Sequence, residues 1–513
     1  MSSEQQIQEH GNYQPTYIPT GIPGLDTILK GGFLKGGFYL VQGDPGSGKT
    51  TVGLQVLLKR AQQGDRVLYF ALTESRRDLE MICSSHDWAL ETIQISYLPM
   101  VSSNPIEQSK NSIFDPSETD LAYLITRIVA EIEQNNPSHV VIDGLSELRM
   151  LAGGMLRFRR QLLSLKNFSE QRNITVLLLD DKSSTIEHSA HLSVVGAIIV
   201  LESTIPLYGR SHRRLYIGKV RSSDFQEGFH DYEIRRGGLC VCPRLVSPEY
   251  SPGLKRSFHP SGITNLDQMF KGGLSSGISS VFIGPSEVGK STVAMQFVVN
   301  ALKQGKKAAV YTFDEVLTTF LERSKRLNCS GEHEWLKLYL EDGRLLARQV
   351  DPAELTPGAF AQGVRDAVND GVSLVVIDSL NCYINAMPEE RLLSTHLHEL
   401  VSYLNQRNVT TIMVVAQHGV LRGAVADFNI SYLADTVLVF RYFDLKGEIL
   451  RGLSVFKNRT EAHEHTMRQL SISDTGISIG EPISGLARLA TGPLYEDAVA
   501  SDPSLYTSGI QGS

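Results

Sequence analysis

Two stretches of this sequence carry residues whose types and spacing suit a polyphosphate. GDPGSGKT (Gly43–Thr50) and GPSEVGKS (Gly284–Ser291) both satisfy G-x-x-x-x-G-K-[ST]. In each, Gly48 or Gly289 lets the backbone curl so that its N–H groups face an anion. Lys49 and Lys290 would neutralise β- and γ-phosphates, and the hydroxyls of Thr50 and Ser291 would ligate magnesium. Gly43, Gly46, Ser47 and Thr51 complete the first nucleotide-binding set, and Gly284 and Thr292 the second. Glu287, an acid inside the second loop, is expected to point outward. Asp143 and Asp378 each end an apolar run (HVVID, LVVID) and are read as Walker-B acids holding the magnesium water shell. Glu74 and Glu315 each stand 25 residues beyond their P-loop lysine. With Asp314 they are the candidate catalytic carboxylates that orient an attacking water or hydroxyl.

What must position these residues is a duplicated element order. TGIPGLDTILKGGFLKGGFYLVQGDPGSGKTT and SGITNLDQMFKGGLSSGISSVFIGPSEVGKST begin at Thr20 and Ser261, 241 residues apart. So long a period makes each copy a whole domain rather than a solenoid unit. Strands are expected at FYLVQG, RVLYFAL, HVVIDG, TVLLLDD and AIIVLES, then at SVFIG, AAVYTF, LVVID, TTIMVVAQ and TVLVFRY. Apolar runs alternating with helical patterns predict an α/β fold: two tandem P-loop NTPase domains with parallel-sheet cores and helices on both faces. The reading places a flexible tail at 1–17, a first domain at 18–244 and a proline-rich linker at 245–257. A second domain follows at 258–493 and a flexible tail at 494–513.

Composition narrows the function classes. The chain has 513 residues, 42% of them hydrophobic and 20% charged, with a formal net charge of −7. That is globular and too long for one ordinary core. An acidic balance argues against a dedicated nucleic-acid binder. Cys83, Cys240, Cys242, Cys329 and Cys382 form neither a disulfide framework nor paired zinc-ligand spacing, which suits reduced thiols. With no signal-like start and no membrane-length apolar run, a cytoplasmic protein without membrane contact is expected.

These motifs resemble the KaiC family, double-domain RecA-like ATPases that include cyanobacterial clock proteins. The resemblance runs from Thr20 to about Pro493. It rests on the doubled TGI-x-x-LD…GG start, both P-loops, both Walker-B strands, and GKVRSSDFQEGFH and FKNRTEAHEH. It implies a homohexameric ring binding ATP and magnesium between neighbouring subunits, a first domain that is mainly an ATPase, and a second with Ser/Thr autokinase activity. It also implies that Lys219 and Arg221, and Lys457 and Arg459, reach a neighbour's ATP as arginine fingers do. Two departures stand out. Where the family has adjacent glutamates, this chain has Thr73–Glu74 and Asp314–Glu315, so the first domain is expected to hydrolyse ATP through Glu74 alone. In DFNISYLADTVLVF, Ser431 takes the place of the family's phosphoacceptor Ser, and Tyr432 stands where Thr is expected. The GEP…TG ending is more similar to clock-like relatives of other bacteria, for which a signalling or clock-like protein partner is implied.

The competing reading is a DNA-acting RecA-like motor, a recombinase or helicase relative. Its best basic cluster, GRSHRR (Arg210, Arg213, Arg214), is read as a solvated hairpin tip, and basic loops interleaved with aromatics are missing.

Overall fold

β-branched and aromatic runs flanked by glycines make the strands here, and longer patterns of helical period make the helices between them. The structure is a computed structural model. It describes residues 16–98, 116–182, 192–205, 209–221, 223–246, 257–327, 335–351, 353–385, 393–416, 433–445, 447–473, 476–483 and 488–489. The chain divides into two compact units, Met1–Arg244 and Leu245–Ser513.

The first unit runs β1 (Tyr17–Ile18), α1 (Leu25–Ile28), β2 (Phe33–Leu34), β3 (Phe38–Gly43), α2 (Lys49–Gln62), β4 (Val67–Ala71), α3 (Arg76–Ser85), β5 (Gln94–Tyr97) and α4 (Pro116–Asn135). It continues through β6 (His139–Asp143), α5 (Leu145–Leu151), α6 (Met155–Gln171), β7 (Thr175–Asp181), β8 (Ala197–Thr204), β9 (His212–Val220), β10 (His230–Arg235) and β11 (Gly238–Cys242). The main sheet has the order β11-β10-β9-β8-β3-β7-β6-β4-β5. Its strands from β8 to β5 pair in parallel, and β9, β10 and β11 extend it as an antiparallel meander.

The second unit repeats the plan. It runs β12 (Phe258–His259), α7 (Thr264–Met269), β13 (Leu274–Ser275), β14 (Ser279–Gly284), α8 (Lys290–Lys303), β15 (Lys307–Thr312), α9 (Leu317–Ser324), α10 (Trp335–Glu341), β16 (Leu345–Gln349) and α11 (Pro357–Asn369). Then come β17 (Val372–Asp378), α12 (Leu380–Asn385), α13 (Leu393–Gln406), β18 (Thr410–Ala416), β19 (Thr436–Leu445), β20 (Glu448–Asn458), β21 (Arg468–Ser473), β22 (Gly476–Pro482) and β23 (Arg488–Leu489). The sheet order is β16-β15-β17-β18-β14-β19-β20-β21-β22, with β23 pairing β19.

Strand periodicity divides each core in two, because successive side chains face opposite ways. Tyr39, Val41, Tyr69, Val141, Leu177 and Leu179 pack with α2, while Phe38, Leu40, Leu68, Phe70, Val140, Ile142, Val176 and Leu178 pack with α4 and α6. Phe282, Val310, Val376 and Val414 face α8, and Val281, Tyr311, Ile377 and Met413 face α11 and α13. Helices thus cover both faces of each sheet, as expected for tandem RecA-like domains.

Some expectations shift. Tyr17, read as part of a tail, pairs with Leu34, and Leu245, read as linker, is buried with the core of the second unit. GRSHRR is only partly a hairpin tip: β8 and β9 pair antiparallel with Thr204 opposite His212, so Gly209–Ser211 lie in their connection. His212–Arg214 already lie in β9, where Arg214 meets Asp231 at 3.6 Å, and Arg210 meets Glu233 at 3.4 Å.

Candidate nucleotide-binding sites

Parallel pairing brings the chemistry to one edge of each sheet. Gly43 lies opposite Asp181, Asp143 opposite Leu179, and Ala71 opposite Asp143, so four strands bring their carboxyl ends side by side. Gly284–Ala416, Asp378–Val414 and Thr312–Asp378 repeat this in the second unit. This carboxyl edge is where open α/β sheets bind ligands.

Each P-loop then turns from strand to helix at a glycine that no other residue replaces. Gly48 caps α2 at φ 99° and Gly289 caps α8 at φ 108°, both left-handed. A Cβ would also meet the Ile234 side chain at 2.6 Å or that of Ile472 at 2.5 Å. Glu287 takes φ 64° where the first loop has Gly46 at φ 78°. It is exposed and borders the cleft.

The first cleft, of about 460 Å³, is lined by Gly46, Gly48, Lys49, Thr50, Thr51, Thr73, Glu74 and Asp143, among others. Lys49 Nζ donates to the carbonyls of Gly43 (2.9 Å) and Asp44 (3.1 Å) and lies 2.9 Å from Asp181. Thr50 Oγ1 donates to Asp143 Oδ2 at 2.8 Å, and the Tyr69 hydroxyl donates to the same oxygen. Burial raises the Asp143 carboxyl above its ordinary range against the pull of those two donors. Glu74 is raised as well, by burial first and by Asp143 second, which suits a proton acceptor. Ser47 is fully buried, and its carbonyl accepts from Tyr232.

The second cleft, of about 550 Å³, is lined by Gly289, Lys290, Ser291, Thr292, Asp314, Glu315, Arg323, Asp378 and Ser379, among others. Lys290 Nζ donates to the carbonyls of Gly284 and Pro285. Burial raises Asp378, and a hydrogen bond from Ser291 opposes the shift. The Ser379 hydroxyl donates to Asp314 at 2.6 Å. Arg323 binds Glu315 with Nε 3.1 Å from each carboxylate oxygen and Nη2 2.8 Å from Oε2.

In both clefts a hydroxyl and an aspartate stand together beside the lysine, a hard oxygen set that suits magnesium completed by water and phosphate. Among the described residues, no group of three or more His, Cys, Asp or Glu could hold a metal by itself. No described helix is long and apolar enough to cross a membrane.

The two K-x-R pairs do not join the clefts of their own units. Lys219 donates to the carbonyls of Leu192 and Val195, and Arg221 to that of Ser193. Lys457 donates to the Ala434 carbonyl, and Arg459 approaches Asp435 at 3.8 Å. Ser431 and Tyr432 lie outside the described residues.

Sequence reasoning missed Tyr69, Asp181 and Arg323. Asp181 had a signal, since it closes the strand run TVLLLDD at the same edge as Asp143. Arg323 sits in α9, and nothing in its spacing singles it out.

The sequence model described as "ATPase: KaiC" matches residues 18–246 and again 259–484. The chain is 22% identical over 494 residues to the circadian clock protein KaiC3 of Synechocystis sp., covering 93% of this chain and 94% of the relative. It is 24% identical to the circadian clock oscillator protein KaiC of Picosynechococcus sp., over 96% of each chain. With the KaiC protein of Synechococcus elongatus it shares 23% identity over 92% of this chain and 91% of that one.

Proposed function

Because the chain belongs to the KaiC family, we propose that it is an ATP-hydrolysing switch that assembles as a six-membered ring and phosphorylates itself in the Ser431 region. The observation that carries this reading is the duplication of one complete set. Each cleft joins a P-loop lysine, a hydroxyl beside a buried aspartate, and a strand-end glutamate. Lys49 and Lys290 hold the terminal phosphates. Thr50 with Asp143, and Ser291 with Asp378, hold magnesium, which supplies charge neutralisation of the phosphates when bound. Glu74 accepts the proton of water in the first unit, and Glu315, beside Asp314, that of water or a seryl hydroxyl in the second. The K-x-R pairs fit a ring, since Lys219, Arg221, Lys457 and Arg459 are not among the residues lining their own clefts and would serve a neighbour's nucleotide. Clock names belong to the relatives. For this chain the reading is a timing or signalling switch, with a signalling or clock-like protein as the partner that senses the state of the ring. A DNA motor is disfavoured, because Arg210 and Arg214 face Glu233 and Asp231.

The test is peptide mass spectrometry after incubation with ATP and magnesium. Phosphate on Ser431, absent from Ser431→Ala and suppressed in Glu315→Gln, is the expected result. ATP turnover without phosphate anywhere on the chain would remove the autokinase and leave an ATPase.

A further inference from the structure

The two clefts differ at one place that the shared motifs do not explain. Arg323, in the last turn of α9, lines the second cleft, whereas Ile82, at the same offset from its P-loop lysine, lines the first. The guanidinium lies over the Phe320 ring at 5.0 Å, which fixes its base. Its Nε and Nη2 occupy both oxygens of Glu315, and Nη1 reaches the Thr292 hydroxyl at 3.4 Å. Thr292 follows Ser291 in the first turn of α8, so that third contact sets the guanidinium against the anion cradle itself.

Two arguments say what this arginine does. The first is charge. Among the residues lining the second cleft, Lys290 and Arg323 are the cations, against Glu287, Asp314, Glu315 and Asp378. A triphosphate entering there adds its charge to those four carboxylates, and beside magnesium Arg323 is the one cation besides Lys290 that the described lining of this cleft offers. The second is occupancy. A carboxylate whose two oxygens both accept from a guanidinium fork is turned toward that guanidinium rather than toward a water. Glu315 held in this way is directed at Arg323 and not at a nucleophile.

We infer that Arg323 is a phosphate-binding residue of the second site, supplied by the same chain, that exchanges Glu315 for the terminal phosphate of ATP when nucleotide enters. The inference rests on the reading of this cleft as an ATP site. The exchange is favourable because a phosphate offers the same bidentate geometry with greater charge. It also couples binding to chemistry, since the released Glu315 then faces the nucleophile. In hydrolysis the oxygen of water bonds to the γ-phosphorus and its proton passes to Glu315. The bond from phosphorus to the β,γ-bridging oxygen breaks, and ADP leaves with that electron pair. The first cleft, with Ile82 there, has no such exchange and leaves Glu74 free of a guanidinium from that position.

The test uses the full chain with Lys49→Ala, which silences the first site, and measures binding of ADP and of a non-hydrolysable ATP analogue with magnesium. Arg323→Ala is expected to weaken the analogue roughly 10–100-fold, the worth of a charge-assisted hydrogen bond, while ADP changes little. Arg323→Lys should recover part of the loss. Glu315→Gln, which removes the competitor for the guanidinium, should shift the preference the other way, toward the analogue. Equal weakening of both nucleotides, or no change in either, overturns the proposal. Should Arg323→Ala fail to fold, an unchanged analogue-to-ADP preference in Glu315→Gln overturns it instead. A folded Lys49→Ala chain that binds no nucleotide refutes the ATP reading, and this inference with it, before Arg323 is altered.

Discussion

Lys49 and Lys290 have the same motif and different surroundings. Lys49 has Asp181 at 2.9 Å, whereas Ala416 closes the corresponding strand, so Lys290 has no carboxylate at that place. Burial pulls the Lys290 ammonium down to about 8, with Asp378 opposing the shift. Bound phosphates favour the charged form, so nucleotide binding takes up a proton wherever free Lys290 is neutral. In the Lys49→Ala chain, affinity for an ATP analogue should therefore be full below pH 8. Above that it should fall by up to about tenfold per pH unit. A flat affinity profile between pH 7 and 9.5 would contradict this. Glu287 invites a second measurement. It adopts φ 64° in a loop whose counterpart has glycine, and a left-handed non-glycine residue costs about 1–2 kcal/mol. It also adds a carboxylate at the rim of an anion site. Glu287→Gly should raise analogue affinity several-fold, on the order of the 1 kcal/mol of one screened charge contact. Weaker binding in calorimetry would show that the carboxylate assists the ligand.

At the scale of the element, each unit buries a histidine where a strand meets the rest of the fold. His139 opens β6 and His259 closes β12, and burial lowers each to about 4. Arg60 and Lys35 add to the shift at His139 while Asp65 opposes it, and Lys306 adds to it at His259. Both are neutral in the folded chain. Below the ordinary histidine value near 6.5 the unfolded chain takes up protons that the folded one refuses. The stability they confer is thus complete above pH 6.5 and is lost as pH falls toward 4, by up to about 3 kcal/mol for each histidine. Urea unfolding at pH 7.5 and pH 5 should show the midpoints of both units moving down. His139→Gln should flatten the pH dependence of the first unit alone. The elements themselves were legible where apolar runs are continuous: the ten expected strands are present, with ends within a few residues. β10 of the meander was not among them, because a strand near a sheet edge can mix charges into its pattern. HDYEIR carries no apolar run that would mark it as a strand.

At the scale of the molecule, shared sites between subunits would explain why neither K-x-R pair lines the cleft of its own unit. Arg459→Ala and Lys290→Ala chains should each lose second-site phosphotransfer. Mixed before assembly, they should regain a measurable fraction, because some interfaces then pair an intact Arg459 with an intact Lys290. Mixed oligomers verified by native mass spectrometry that stay as inactive as either parent would place the site within one chain.

The sequence by itself determined what a backbone and a spacing can state. That covers two domains, their parallel cores, both phosphate loops and the strand-end acids, since each depends on local chain geometry repeated in register. Tertiary structure alone decided which side chains meet across those edges. Tyr69 on Asp143, Asp181 on Lys49 and Arg323 on Glu315 join residues from separate elements. Such pairs depend on strand register and helix docking, and they make one repeated motif into two different sites.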